Sequence, residues 1–356
     1  MKRIDRLRAA MAERGIAAVL VSDLYNIGWL TGFKGSFGLA LVTPTRAEFI
    51  TDGRYRMVAA TQVRDFEVTI FQTPTTSDEA LAAKITELGI TSLGFESTVV
   101  TYSTYQRWIT KIPAVEWVAV DDLVSRLRRV KDAEEIGNIR AACAIADAAF
   151  DHIQRMIQPG VRELDIELDL EFFIRRQDAG VAFPSIVVSG VRSASPHGSA
   201  SDKPLEVGDF VTLDFGATVN GYHSDITRTV VVGESSERTR EVYETVLRAQ
   251  LTALDAMGPG VKGSHVDHVA REAMGDLAKY FVHGLGHTLG RAVHDGGAMN
   301  ATTDVTLEVG QIWTVEPGIY IPDFGGCRIE DDVLITETGI EILTKSTKDL
   351  LVLPVA

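Results

Sequence analysis

The feature that most constrains this sequence is a β-hairpin predicted within residues 211–233, VTLDFGATVNGYHSDITRTVVVG. Runs rich in Val, Thr and Ile flank Asn220-Gly221, and such a pair predicts a tight turn because both turn residues need positive φ. With these two residues as the loop, paired residue numbers sum to 441 and Asp225 faces Gly216. Asp214 then shares a face with Asp225 as its diagonal neighbour. Two carboxylates facing each other in so apolar a run repel unless a cation lies between them, so the hairpin predicts part of a cation site.

Length and composition indicate a globular protein of two domains. The chain has 356 residues, of which 45% are hydrophobic and 24% charged, and such a length exceeds a single ordinary core. The net charge of −14 argues against nucleic acid and anionic membranes as partners. The amphipathic N-terminal segment has no apolar signal region, and the two cysteines, Cys143 and Cys327, suggest no disulfide framework. We therefore expect a cytoplasmic protein.

The two expected domains differ in pattern. Residues 1–121 alternate between helix and strand signals and predict a small α/β domain without a catalytic cluster or a glycine-rich phosphate loop. Helix formers dominate from residue 122, and the second domain is expected to cover residues 122–356. Within it, Pro-Gly-Val recurs at 159–161 and 259–261, each time between predicted helices. This repeat suggests a pseudo-duplicated half-domain, although chance turn chemistry would give the same short match.

Histidines and acids after the hairpin complete a candidate site. The glycine-rich segment FVHGLGHTLGRAVHDGG carries His283, His287 and His294, and interleaved glycines favour close backbone approach over a helix face. Two acids, Glu316 and Glu330, lie in apolar strand patterns, where burial is costly unless the acid is paired or bound to metal. The adjacent acids at 331 and 332 are interpreted as solvated charges at a strand end.

The acidic candidates predict two metal ions. Asp214, Asp225, Glu316 and Glu330 together carry −4, which two divalent cations balance and one does not. Four carboxylates and an imidazole suit a pair of first-row divalent metals; Mn²⁺ is favoured, and Co²⁺, Zn²⁺ or Fe²⁺ are alternatives. Two metals roughly 3.5 Å apart would hold a bridging hydroxide and polarise a carbonyl, which is hydrolytic chemistry.

Several motifs identify a family. The motifs of the second domain are PHGSASDKPLEVGDFVTLDFG, GYHSDITRT, HGLGHTLG, TVEPGIY and RIEDD. They closely resemble the pita-bread metallopeptidases, in the branch of Xaa-Pro aminopeptidases and prolidases (Xaa-Pro dipeptidases), from about residue 122 to the end of the sequence. In the first domain, NIGWLTGF and TDGRY are similar to the creatinase-type N-terminal domain of that branch. The expected fold class is thus α/β (α+β), a creatinase-type N-terminal α/β domain followed by a pita-bread catalytic domain with pseudo-duplicated halves.

The resemblance assigns the metal ligands to residues of this sequence. Asp225 and Glu330 would bridge the two metals. Asp214 would bind one metal, and His287 with Glu316 would bind the other. None of the five ligands of the family is missing from the sequence.

The resemblance also implies roles for residues around the metals. His197, His283 and His294 would line the substrate cleft and stabilise the tetrahedral intermediate or shuttle protons. Arg328 would organise the network beside the last carboxylate ligand. As a separate hypothesis for the mechanism, we expect Glu316 to act as general base while a cleft histidine assists the tetrahedral intermediate.

We therefore expect a dinuclear metallo-exopeptidase that hydrolyses the N-terminal Xaa-Pro bond of short peptides, and the resemblance implies a homodimer. An Xaa-Pro dipeptidase is slightly favoured over an Xaa-Pro aminopeptidase acting on longer peptides. Asp295-Gly296-Gly297 stands where many relatives carry Glu and then Pro, which leaves the length of the substrate open. A creatinase-like amidinohydrolase without metal and a non-catalytic pita-bread binding module are disfavoured by the intact ligand set. A methionine aminopeptidase is disfavoured by the extra N-terminal domain.

Overall fold

The computed structural model describes residues 1–303 and 305–355. The chain forms two compact units, Met1–Arg128 and Arg129–Ala356, so the first unit extends past the boundary expected after residue 121. The helices are α1 (Arg3–Glu13), α2 (Leu24–Thr31), α3 (Arg56–Gln62), α4 (Ser77–Glu87), α5 (Tyr102–Lys111), α6 (Leu123–Arg129), α7 (Ala133–Ile153), α8 (Glu163–Arg176), α9 (Glu237–Ala256) and α10 (Gly263–Met274).

The strands are short and are distributed over both units. In the first unit they are β1 (Val19–Val21), β2 (Leu39–Val42), β3 (Ala47–Asp52), β4 (Glu67–Phe71), β5 (Ser92–Phe95) and β6 (Glu116–Ala119). In the second unit they are β7 (Gly180–Val181), β8 (Ile186–Ser189), β9 (Phe210–Phe215), β10 (Ala217–Val219), β11 (Tyr222–His223), β12 (Ile226–Val232), β13 (Gly286–His287), β14 (Ala298–Met299), β15 (Ile312–Val315), β16 (Gly318–Ile321), β17 (Gly325–Arg328), β18 (Asp331–Thr336), β19 (Gly339–Ile342) and β20 (Val352–Leu353).

The first unit is a mixed sheet covered on both faces by helices. Its strand order is β4-β3-β2-β1-β5-β6. Because strand side chains alternate between faces, Val19 and Val21 of β1 join one apolar cluster and Leu20 joins the other. Helices α1, α2 and α6 contribute to the first cluster, and α4 and α5 contribute to the second. The α/β domain predicted for the N-terminal part is therefore present.

The second unit is a structural duplication, as the Pro-Gly-Val repeat predicts. Gly160 and Gly260 have φ of 85° and 83°, the left-handed region in which glycine carries no Cβ penalty. Gly160 N donates to Leu205 O over 2.9 Å, and Gly260 N donates to Leu307 O over 2.8 Å. Each turn joins two helices, α7 to α8 and α9 to α10, so the repeat is not chance turn chemistry.

Strand β12 lies between the apolar cores of the two halves. Val230 and Val232 pack into the cluster that includes α7 and α8, and Val231 packs into the cluster that includes α9 and α10. The residues at the start of β12 consequently lie where the two halves meet. Among the described residues, no helix has the length and apolar character needed to cross a membrane.

Candidate metal centre

The hairpin predicted around Asn220-Gly221 is present in the predicted register. Its turn residues have φ of 53° and 81°, as a type I′ turn requires. Val219 pairs with Tyr222 in β10 and β11, and Asp214 pairs with Thr227 in β9 and β12. Paired residue numbers thus sum to 441 on both sides of a break in the pairing, and the hairpin prediction is confirmed.

The break lies at Gly216. A Cβ on this residue would lie 1.9 Å from the carbonyl oxygen of Ser224, so a larger residue would separate the strands. Across the break, Asp225 lies just before the first pair of β9 with β12, and its backbone N–H donates to Asp332 Oδ2 over 2.9 Å. A side chain from β18 therefore holds Asp225 in place at the start of β12.

Three of the five predicted ligands lie close enough to share one ion. Asp225, His287 and Glu330 each offer a ligand atom, and these atoms all lie within 4.8 Å of one another. His287 Nε2 is 3.7 Å from Asp225 Oδ2 and 3.5 Å from Glu316 Oε1. Glu316, which follows β15, therefore belongs to the same cluster.

A single hydroxyl orients His287 and Glu316 together. Thr314 Oγ1 accepts the backbone N–H of His287 over 3.0 Å and lies 3.1 Å from Glu316 Oε1, to which it donates. Thr314 and Glu316 are two residues apart at the end of β15, so their side chains lie on one side of the strand. The local strand geometry thus fixes the carboxylate against the imidazole.

Asp214, the fifth predicted ligand, is joined to the cluster through Arg328. Arg328 Nη2 donates to Asp214 Oδ2 over 2.5 Å, and Arg328 Nε donates to Thr227 Oγ1 over 2.9 Å. Thr227 Oγ1 donates in turn to Glu330 Oε2 over 2.6 Å. The other oxygen of Asp214, Oδ1, is buried and has no hydrogen-bond partner among the described residues.

Burial and mutual repulsion favour protonated carboxyl groups in this cluster. Burial, followed by the charges of Glu330 and Asp214, raises the pKa of Asp225 well above its usual range. Burial and the charge of Glu316 likewise raise the pKa of Glu330, and burial raises the pKa of Glu316 to about 7. Burial and the charge of His294 lower the pKa of His287 to about 3, so this imidazole is neutral at physiological pH.

These groups fit divalent cations. An orphaned buried carboxylate oxygen, repelling buried carboxyl groups and a neutral imidazole all gain by binding a cation. Arg328 corrects the charge count made from the sequence, because its buried guanidinium reduces the −4 of the four carboxylates to −3. Two divalent cations would then leave a net charge of +1, which suits one further anion in the site.

The three other predicted histidines reach the cluster in different ways. The ring of His294 packs against that of His287, with centroids 4.1 Å apart. His283 Nε2 is 2.9 Å from Tyr320 Oη, which accepts from Arg328 Nη1 over 2.7 Å. His197 is exposed in the segment between β8 and β9. Burial, followed by electrostatic interactions with Arg328 and then His197, lowers the pKa of His283 to about 4.

The interpretation of Asp331 and Asp332 as solvated charges is wrong. Both are fully buried at the start of β18. Asp331 accepts from Arg228 Nη2 over 2.8 Å and from Lys348 Nζ over 2.7 Å. Although burial opposes the shift, these two cations lower the pKa of Asp331. Asp332 is the acceptor that holds the backbone of Asp225.

Three hydroxyl residues of the network were not predicted as part of the site. Thr227 could have been found, because a register sum of 441 makes it the partner of Asp214. Thr314 carried a weaker sequence signal, because alternation along the strand places it on the same face as Glu316. Tyr320 carried no signal, because its diagonal position beside Arg328 depends on the pairing of β16 with β17.

Comparison with known proteins identifies both units. Residues 137–337 match Metallopeptidase family M24, and residues 3–130 match the Creatinase/Prolidase N-terminal domain. The sequence is 38% identical to an Xaa-Pro dipeptidase of Pyrococcus furiosus, over 98% of this chain and 99% of that protein.

Solved structures of Xaa-Pro peptidases support the same family assignment. An Xaa-Pro dipeptidase from Bacillus anthracis aligns with a TM-score of 0.95 and 43% identity, covering 99% of each chain. An X-Pro aminopeptidase from Thermotoga maritima MSB8 aligns with a TM-score of 0.88 and 38% identity, covering 97% of this chain and 99% of that chain. The expected order of a creatinase-type domain and a pita-bread catalytic domain is confirmed, and membership implies divalent metals. The protein belongs to metallopeptidase family M24, with a creatinase/prolidase-type N-terminal domain.

Proposed function

We propose that the protein is an Xaa-Pro dipeptidase that uses two divalent cations to release the N-terminal residue from dipeptides with proline in second position. The observation that carries the proposal is the buried cluster in which Asp225, His287 and Glu330 offer ligand atoms within 4.8 Å of one another. Relatives named Xaa-Pro dipeptidase, at 38% and 43% identity over nearly the whole chain, support the substrate class.

The proposed ligands are the five residues predicted from the sequence. Asp214, Asp225, His287, Glu316 and Glu330 would hold the cations, which when bound polarise the scissile carbonyl and acidify water. Mn²⁺ is the proposed metal because the donor set is rich in carboxylate oxygen.

Residues of the chain would supply the remaining chemistry. Glu316 would accept a proton from the attacking water as general base. His197, His283 and His294 would line the substrate cleft, and a histidine of this group would assist the tetrahedral intermediate.

A second candidate is an Xaa-Pro aminopeptidase acting on longer peptides. The Thermotoga maritima structure, named an X-Pro aminopeptidase, is 38% identical over 97% of this chain and supports this alternative. Both activities cleave the same bond and would use the same cluster. A creatinase-like amidinohydrolase and a non-catalytic binding module would have no use for five gathered donors, so we do not propose them.

Location and assembly remain proposals. We propose a cytoplasmic enzyme, because the two cysteines, Cys143 and Cys327, are free and buried and a reducing compartment keeps thiols in that state. The homodimer implied by the resemblance stays a prediction that sedimentation analysis would test.

Substrate length is tested with chelator-stripped protein, assayed with and without Mn²⁺. The substrates are Ala-Pro, Ala-Pro-Ala and, as the matched control without proline, Ala-Ala, and the product followed is free alanine. Metal-dependent release from Ala-Pro alone is the expected result. Release from Ala-Pro-Ala with Ala-Pro untouched would replace the proposal with the aminopeptidase. Equal rates on Ala-Ala and Ala-Pro would refute the requirement for proline.

A further inference from the structure

We propose that Asp267 and Arg271 of helix α10 are positioning residues that hold His283 in the geometry required for turnover. This inference rests on the proposed function, in which His283 faces the substrate. Neither residue was predicted from the sequence, and among the described residues their hydrogen bonds go to each other and to the backbone of residues 281–285, not to the five proposed metal ligands.

The pair binds the backbone on both sides of His283 and at His283 itself. Arg271 Nη1 donates to Phe281 O over 2.9 Å, and Arg271 Nη2 donates to His283 O over 2.5 Å. Asp267 Oδ1 accepts the backbone N–H of Leu285 over 3.1 Å. Alternate residues from 281 to 285 are therefore each fixed by one hydrogen bond to the pair.

The pair is itself rigid. Arg271 Nε is 2.8 Å from Asp267 Oδ2 and Arg271 Nη2 is 3.2 Å from Asp267 Oδ1, a two-point contact between residues one helical turn apart. The carboxylate of Asp267 is fully buried, where a charge is tolerated only with a partner of opposite sign. The planar guanidinium matches a carboxylate in a way that the point charge of lysine does not.

The same arrangement fixes the His283 ring. The guanidinium carbon of Arg271 lies 4.2 Å from the centroid of the Phe281 ring, and this ring packs edge-on against the His283 ring at 4.9 Å. Residues 281–285, directly before β13, belong to no strand or helix, so no regular pairing fixes them. His283 Nε2 is thereby aimed at Tyr320 Oη, 2.9 Å away.

The other half of the duplicated unit uses a buried carboxylate in an equivalent way. Glu163 of α8 is fully buried and accepts the backbone N–H groups of Ser189 over 2.7 Å and Ser201 over 3.1 Å. These two residues bound the segment that carries His197. In both halves, a buried acid on the helix after the Pro-Gly-Val turn thus anchors a histidine-bearing segment.

A double-mutant cycle tests the inference. The single variants are Arg271→Lys, Asp267→Asn and His283→Ala. The double variants combine Arg271→Lys or Asp267→Asn with His283→Ala. All are assayed as Mn²⁺-loaded enzyme on Ala-Pro. Arg248→Lys is the matched control, because Arg248 also donates to a backbone carbonyl, that of Ala273 at 3.1 Å, away from the histidine segment. Thermal midpoint and bound metal are measured for every variant.

We expect Arg271→Lys and Asp267→Asn to lower kcat/KM roughly tenfold in the parent enzyme but by less than about twofold in the His283→Ala background. Each should change the same parameter, kcat or KM, that His283→Ala changes. Arg248→Lys should retain parent activity. Equal losses in both backgrounds would assign the pair a merely structural role and overturn the inference.

Imidazole NMR of protein with ¹⁵N-labelled histidine separates this inference from the proposed function. Arg271→Lys should shift the His283 side-chain resonances and leave those of His152, which lies on α7, unchanged. An unshifted His283 signal would overturn the inference even in an active enzyme. A parent enzyme that fails to cleave Ala-Pro would refute the proposed function alone.

Discussion

The metal-free protein should lose folding stability as the pH rises from about 6.5 to about 8. Burial raises the pKa of Glu316 to about 7 and, with neighbouring charges, raises those of Asp225 and Glu330 well above their usual range. A carboxyl with a raised folded-state pKa stabilises the folded protein fully below its unfolded pKa, and this stabilisation is lost as the pH rises through the folded pKa. The lowered pKa values of His283 and His287 act in the opposite direction, and because an unfolded histidine titrates around pH 6.5, the two together regain about 1 kcal/mol over this interval.

The size of the loss follows from these values. Between about pH 6.5 and about pH 8, a carboxyl of pKa near 7 such as Glu316 loses about 1 kcal/mol, which the two histidines offset. The net fall therefore comes from Asp225 and Glu330, whose pKa values are raised well above their usual range. A carboxyl that stays protonated over the whole interval loses about 2 kcal/mol, so the fall is at most about 4 kcal/mol. For a catalytic unit of this size, that upper bound corresponds to a fall in the thermal midpoint of roughly 10 °C.

Circular dichroism melts of chelator-treated protein, at constant ionic strength, measure the effect. Saturating Mn²⁺ should abolish the fall, because the cations neutralise the same carboxylates. Glu330→Gln removes one repelling group, and the metal-free variant should show a shallower fall than the parent. A metal-free parent whose midpoint stays constant or rises over this interval would refute the electrostatic account of the cluster.

Three further predictions follow from the site. Asp225→Ala should abolish metal uptake, measured by elemental analysis, and turnover on Ala-Pro; full retained activity would contradict the assigned role. Thr227→Val removes the hydroxyl that donates to Glu330 over 2.6 Å. Metal affinity measured by calorimetry should fall roughly 10- to 100-fold while the fold persists. Unchanged affinity would count against a role of this hydroxyl in metal binding. Gly216→Ala places a Cβ 1.9 Å from a carbonyl oxygen, and the variant should lose more than about 3 kcal/mol in chemical denaturation, whereas parent-like stability would mean that the strands separate easily.

Short-range sequence signals were sufficient to predict the hairpin and the duplication. The turn residues Asn220 and Gly221 fix the register, and that register correctly placed Asp214 opposite Thr227, two residues beyond Asp225. The Pro-Gly-Val repeat marked turns whose glycines both adopt positive φ. These features are encoded within a few residues of one another, so the sequence displays them directly.

Features that depend on distant partners could not be predicted in this way. Asp331 and Asp332 looked like solvated acids because Arg228, Lys348 and the N–H of Asp225 are far from them in sequence. The order of the residues gives no sign that these groups meet in the interior.

The backbone contacts of Asp267 and Arg271 pose the same difficulty. An acid and an arginine four residues apart on a helix usually indicate an exposed ion pair. The burial of Asp267 and the carbonyl contacts of Arg271 become visible only when the helix packs against the histidine segment.

The most direct test of the central claim is a titration of chelator-stripped protein with Mn²⁺ while alanine release from Ala-Pro is followed. The account predicts no release without metal and activity that saturates at two Mn²⁺ per chain, the number proposed for the five ligands. Full hydrolysis by metal-free protein, or the absence of Mn²⁺ uptake by folded protein, would contradict it.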